Sequence, residues 1–181
     1  MSDDVDHDAN VFGALALMVA DRMSDAFVGA GEADSSAAAL SSLFHFLRRP
    51  TIDQLRRVVG LTPSGTVRLV DKLERERLLD RRPGPDKRSV TLALTPLGET
   101  FARGLSDQRI EFLRETLAVL SDEERAAFER ATSKLLVGLM RPPGTVRWMC
   151  RLCDLARCGR PRGLCPVYNE ALERYGPRQR P

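Results

Sequence analysis

Four cysteines, Cys150, Cys153, Cys158 and Cys165, fall within sixteen residues of one another, and the other positions of this 181-residue chain contain none. Their spacing is C-x2-C-x4-C-x6-C. Thiolates are soft ligands, and four of them complete the tetrahedral set that zinc or an iron–sulfur cluster requires. Gly159, Gly163, Pro161 and Pro166 permit the tight turns needed to gather the sulfurs. Arg147, Arg151, Arg157, Arg160 and Arg162 would offset the negative charge that four thiolates leave around a dication. The expectation is one metal centre per chain. Zinc is favoured on base rate, whereas the terminal Cys165-Pro166 also fits an iron–sulfur loop.

A second group of residues carries charge rather than sulfur. Ser64, Arg68, Lys72 and Arg75 recur at three- and four-residue steps, so they share one side of a helix whose other side is Val67, Val70 and Leu73. Ser64, Gly65 and Thr66 form a small-residue first turn that can approach a base edge closely. Downstream, Arg81, Arg82, Lys87 and Arg88 surround the turn Pro83-Gly84-Pro85-Asp86. The alternative for these cations is a merely solvated face, and their order along the chain argues against it.

The elements that must position these residues are mostly helical. Val11, Phe12, Leu15, Val19, Met23 and Phe27 predict a long amphipathic helix ending near Gly29 and Gly31. A second helix starts at Asp34 or Ser35, shows Leu40, Leu43, Phe44 and Leu47, and stops before Pro50. Thr51 with Gln54 is a capping box opening a short third helix that Gly60 closes. Thr62-Pro63 opens the fourth. Val90, Leu92 and Leu94 alternate with Ser89, Thr91 and Ala93, predicting a strand and hence a hairpin with a basic tip. Thr95-Pro96 starts a long helix bearing Phe101, Leu105, Phe112, Leu117 and Leu120. Ser121 with Glu124 caps a last one, with Phe128, Ala131, Leu135 and Leu139 expected inward.

Two short helices, a turn and a basic hairpin make a winged helix-turn-helix. The run from Leu61 to Arg82, continued by Asp86-Lys87-Arg88-Ser89-Val90 to Gly98, resembles the MarR family of bacterial transcription regulators over roughly residues 10 to 140. The resemblance implies a homodimer whose outer helices associate and whose winged helices read a pseudo-palindromic operator in double-stranded DNA, a repressor or an activator modulated by a ligand or an oxidant. By position it implies base or phosphate contacts at Ser64, Gly65, Thr66 and Arg68, a minor-groove role for Arg88, and an orienting role for Asp86. The cysteine tail departs from the family pattern.

The fold class expected is therefore mainly α with a small β-hairpin wing, flanked by long dimerisation helices. The domains are 1–33 (N-terminal dimerisation helix), 34–96 (winged helix), 97–140 (C-terminal dimerisation helices) and 141–181 (cysteine-rich tail). The predicted DNA-binding set is Ser64, Gly65, Thr66, Arg68, Lys72, Arg75, Arg82, Asp86, Lys87 and Arg88. The signal is either a metal or redox change at the cysteines or, with the zinc purely structural, a small organic ligand between the winged helix and the dimer helices. No nucleophile–base pair or phosphate loop points to an enzyme. With 43% hydrophobic residues, no basic leader and no apolar run long enough for a bilayer, a cytoplasmic protein without a membrane partner is expected. The net charge of +3 is too small to choose a partner, so the placement of the charge decides. His45, between Phe44 and Phe46, is expected to be structural or exposed rather than a ligand.

Overall fold

The computed structural model describes residues 2–29, 34–84, 86, 89–140 and 146–176. Its elements run α1 (Ser2–Gly29), α2 (Asp34–His45), α3 (Ile52–Val59), α4 (Pro63–Arg75), β1 (Leu79–Pro83), β2 (Val90–Leu94), α5 (Pro96–Leu117), α6 (Asp122–Gly138), α7 (Val146–Met149) and α8 (Pro166–Tyr175). The fold is mainly helical with one antiparallel hairpin, as the sequence predicts.

Helix starts follow the predicted chemistry. Thr51 Oγ1 accepts from Gln54 N at 3.2 Å while Gln54 Oε1 accepts from Thr51 N at 2.8 Å. Ser121 and Glu124 form the same reciprocal pair. Thr62 and Thr95 accept from Gly65 N and Gly98 N, each ahead of a proline that needs no partner in the first turn. Gly98 has a further duty: a Cβ there would lie 1.8 Å from Leu78 O, so only glycine lets α5 pass the base of the hairpin.

The core sits where α2, α3, α4 and the hairpin meet. Leu40, Leu55, Val58, Val70, Leu73, Leu79 and Leu92 are fully enclosed, and Ala102 and Leu105 of α5 close one side. In the hairpin Leu79 pairs with Leu94 and Pro83 with Val90. A bridge from Thr51 to Thr91, with Leu92 N donating to Pro50 O at 2.9 Å, ties the wing to the start of α3.

Three expected faces are corrected. On α4 the buried side is Thr66, Leu69, Val70 and Leu73, and Val67 is 41% exposed. Thr66 can be buried because its hydroxyl donates to Thr62 O at 2.9 Å. On β2, Thr91 is buried beside Leu92 while Val90 is exposed, because the bridge to Thr51 covers Thr91 and its Oγ1 donates to Arg82 O. On α6 and its C-cap, Phe128, Ala131, Leu135 and Leu139 are exposed, and none of the helix's residues is buried.

The tail folds back onto the winged helix. Ser42 Oγ shares its proton between Ala38 O at 2.6 Å and Arg151 O at 3.2 Å, Leu152 packs against the core, and Arg157 pairs with Asp107 of α5 at 2.9 Å. α7 lies against α3, and α8 packs along α6 with Val167 and Ala171 buried.

Candidate nucleic-acid interface and cysteine site

α4 presents its first turns outward because its four buried residues recur at three- and four-residue steps on the opposite side. Ser64 and Arg68 are exposed, Gly65 is half-buried, and Arg75 is exposed near the far end. Thr66 leaves the predicted contact set: it is fully buried and serves the core and the cap. Lys72 pairs with Glu76 at 3.2 Å along the helix.

The cations of β1 divide. Arg81 bonds Asp71 at 2.7 Å and also Glu74, which locks the hairpin to α4 and keeps the guanidinium firmly protonated. Arg82 is exposed and pairs with its neighbour Asp80 at 2.6 Å. At the wing, Asp86 Oδ1 accepts from Ser89 N at 2.8 Å and its carbonyl accepts from Ser89 Oγ, so the carboxylate shapes the turn. Lys87 and Arg88, and with them the implied orientation of Arg88 by Asp86, lie outside the described residues.

Cys150, Cys153, Cys158 and Cys165 are free thiols, all half-buried. Turns gather them: Cys153 N donates to Cys150 O at 2.8 Å, Cys158 N to Asp154 O at 2.9 Å, and Gly159 and Gly163 take positive φ around the short helical turn Arg160–Arg162. At Gly159 a Cβ would also meet Leu164 Cβ at 2.8 Å. Cys150 and Cys153 hydrogen-bond to each other, and Cys150 feels the charges of Cys153, Cys165 and Cys158. The four sulfurs thus share one electrostatic neighbourhood. Among the described residues no three His, Cys, Asp or Glu side chains stand close enough together to ligate an ion as arranged.

The pair Cys150/Cys153 loses its first proton easily and its second with difficulty. The bond from Cys150 holds the Cys153 thiol down to about 7 against the opposing effect of burial, helped by Arg109 and Arg151. The same bond, burial and the neighbouring thiolates push Cys150 far up. Burial raises Cys158 as well, against Arg160. A soft donor set ringed by guanidinium groups fits a thiolate-bound metal in its chemistry, with closer approach of the sulfurs as the remaining requirement.

Three features of this region escape a reading of the sequence. Trp148, the chain's single tryptophan, lies over the helix-turn-helix turn: a Cβ on Gly60 would be 3.1 Å from Trp148 Nε1, and Arg151 stacks 4.3 Å from the ring centroid. His45 joins α5 to the cysteine loop through Ser106 at 3.1 Å and Asp154 at 3.6 Å. Arg109 extends from α5 towards Cys153 and His45. Only the rarity of tryptophan and an acid set between two cysteines hinted at these contacts.

Comparison with known proteins agrees with this geometry. Residues 34–98 match a family model described as a winged helix DNA-binding domain. A curated Bacillus subtilis (strain 168) protein, the uncharacterized HTH-type transcriptional regulator YsmB, is 35% identical over 86 residues, which is 47% of this chain and 59% of that protein. This chain therefore spans less than two thirds of that relative. Among solved structures, a MarR family protein from Bacillus stearothermophilus is 26% identical with a TM-score of 0.65, covering 75% of this chain and 94% of that one. MepR, a transcription regulator of the Staphylococcus aureus multidrug efflux pump MepA, is 18% identical with a TM-score of 0.65, covering 73% and 98%. The S. aureus MepR–DNA complex overlays with a TM-score of 0.58 at 19% identity, covering 73% and 97%. Residues 34–98 thus match a winged helix DNA-binding domain, and the fold of the chain is similar to that of the MarR family protein of known structure.

Proposed function

We propose that this protein is a DNA-binding transcriptional regulator, a repressor in its simplest form, that works in the cytoplasm as a homodimer on a pseudo-palindromic operator and is not an enzyme. The observation that carries the reading is the outward first turn of α4, with Ser64 and Arg68 exposed above a core-anchored opposite face. In the major groove Ser64 and Arg68 meet base edges, Arg75 and Arg82 meet phosphates, and the wing residues Lys87 and Arg88 reach the flanking backbone or minor groove.

For the signal, we propose that Cys150, Cys153, Cys158 and Cys165 close around one metal, zinc rather than an iron–sulfur cluster, and report metal or redox state. Bound, the metal would cross-link the turns of the tail. The protein's own residues do the rest. A tail ordered from Met149 to Cys165 keeps Trp148 against Gly60, Arg151 O on Ser42 and Arg157 on Asp107. These contacts hold α2, α3 and α5 against the tail, and α4 packs on α2 and α3. When thiolates are oxidised or the metal is lost, this bracing relaxes and the two α4 helices of a dimer lose their spacing. A second reading keeps the metal structural and places an organic effector in the groove of about 480 Å³ between α1 and α5, lined by Arg22, Asp25, Gln108, Glu111, Phe112 and Glu115.

Ser64→Glu tests the DNA-reading face. A carboxylate in the first turn favours the helix dipole, so folding is kept or improved, while bases and phosphates are repelled. Specific binding in gel-shift assays is expected to vanish, and Arg68→Ala is expected to cost about 1–3 kcal/mol. Wild-type affinity in both folded variants would overturn the reading.

A further inference from the structure

The outward face of α4 is not wholly polar. Ser64, Val67, Arg68 and Asp71 fall at steps of three and four on that face, and Val67 is the one large apolar side chain exposed on the helix. Thr66, Leu69, Val70 and Leu73 fill the opposite side, so Val67 cannot rotate inward without displacing them. Its neighbour Asp71 is held by Arg81 at 2.7 Å, which removes an unpaired acid from beside it. A branched, stiff apolar side chain thus stands between a hydroxyl and a guanidinium in the first two turns of the helix that enters the groove.

The major-groove edges of the bases carry hydrogen-bonding groups and one apolar group, the C5-methyl of thymine. Ser64 and Arg68 can satisfy donors and acceptors; Val67 can satisfy none of them, and its burial against a base is favourable only where a methyl is present. We propose that Val67 is a specificity-determining residue that selects thymine at one position of each half-site by packing on the C5-methyl. The inference rests on the DNA-binding reading above and names one base of its substrate. Loss of the methyl leaves Watson–Crick pairing and every hydrogen-bonding group of the base in place, so the effect belongs to packing alone.

The experiment uses the full-length protein. Duplexes are enriched from a random pool, and each thymine of the enriched site is then replaced in turn by deoxyuridine, which lacks only the methyl. The expected result is one thymine per half-site at which deoxyuridine weakens wild-type binding about three- to fivefold, the effect of burying one methyl group. Val67→Ser, whose exposed position lets it fold normally, is expected to bind the thymine and deoxyuridine duplexes equally, and Val67→Ile to keep the discrimination. An enriched site at which no deoxyuridine weakens the wild type, or at which Val67→Ser discriminates as the wild type does, overturns this inference and leaves the regulator reading standing. A pool that never enriches overturns both.

Discussion

At the scale of single residues, the contact between Trp148 and Gly60 decides whether the tail can influence DNA reading. Gly60 closes α3 in the left-handed region, φ 72°, and its bare Cα is what admits the indole. Trp148 is 39% exposed, so Trp148→Ala should cost well under the full truncation of a core aromatic, about 1–2 kcal/mol in urea denaturation. Operator affinity should fall while metal content per chain stays as in wild type. If affinity is unaltered, the indole only fills space. His45 supplies a pH test. Burial lowers its pKa below 6.5 despite the attraction of Asp154, with Arg109 and Arg157 adding to the drop. The unfolded chain then takes up a proton more readily below pH 6.5, so stability rises with pH in that window and levels off above it. His45→Asn should flatten the urea midpoint between pH 5.5 and 7 relative to wild type, about the ordinary histidine range. Caps and closing glycines were legible because each depends on residues three or four apart. The exchange of Thr66 and Val67 was not: both lie at helical spacing to Val70 and Leu73, and what buries Thr66 is a hydroxyl bond to Thr62 O that polarity alone does not reveal.

At the scale of elements, the tail from α7 to α8 is the part whose role depends on where it docks. Its ties are long in sequence: Ser42 to Arg151, Asp107 to Arg157, and α6 to α8. By its position directly after the last long helix, the tail would be expected to brace that helix or a neighbouring subunit. In the structure it grips α2 and α3 of its own winged helix as well as α5 and α6. Periodicity within a short, turn-rich segment carries no information about such partners, so the cysteine spacing was readable and the docking was not. Under the metal reading, a loop with little apolar surface of its own gains its order from the cross-link. Cys153→Ser with Cys158→Ser should therefore remove the metal and lower the urea midpoint. Under the sensing reading it should also make operator affinity indifferent to oxidant and chelator. Elemental analysis of anaerobically purified protein should find about one zinc per chain, whereas iron, sulfide and a brown colour bleached by air identify the cluster instead. Less than a tenth of an equivalent of any metal would leave only a thiol switch.

At the scale of the molecule, apolar surface remains uncovered on α1 and along α6. On α1, Val11, Phe12, Leu15 and Met18 are each 46–60% exposed; on α6, Phe128, Leu135 and Leu139 are 41–66% exposed. The stripes were readable as amphipathic helices, but a period says that a face is covered, not which molecule covers it. α8 packs along α6, yet Phe128, Leu135 and Leu139 stay exposed among the described residues. A two-fold partner covers such faces with copies of themselves. Each substitution in a homodimer then acts twice. Burying a Phe or Leu side chain contributes about 1.5–3 kcal/mol, so Phe12→Asp, which also buries a charge at the interface, should weaken association by at least about 3–6 kcal/mol per dimer, or a hundredfold and more in Kd. Sedimentation at micromolar concentration should show wild type as a dimer and the variant as a folded monomer. The monomer retains one intact α4 and so should still bind single half-sites weakly, but lose its preference for two half-sites spaced by one helical turn, roughly 34 Å. A wild-type monomer bound one-to-one to DNA would refute the symmetric assembly and, with it, any signal that works by changing the spacing of two recognition helices.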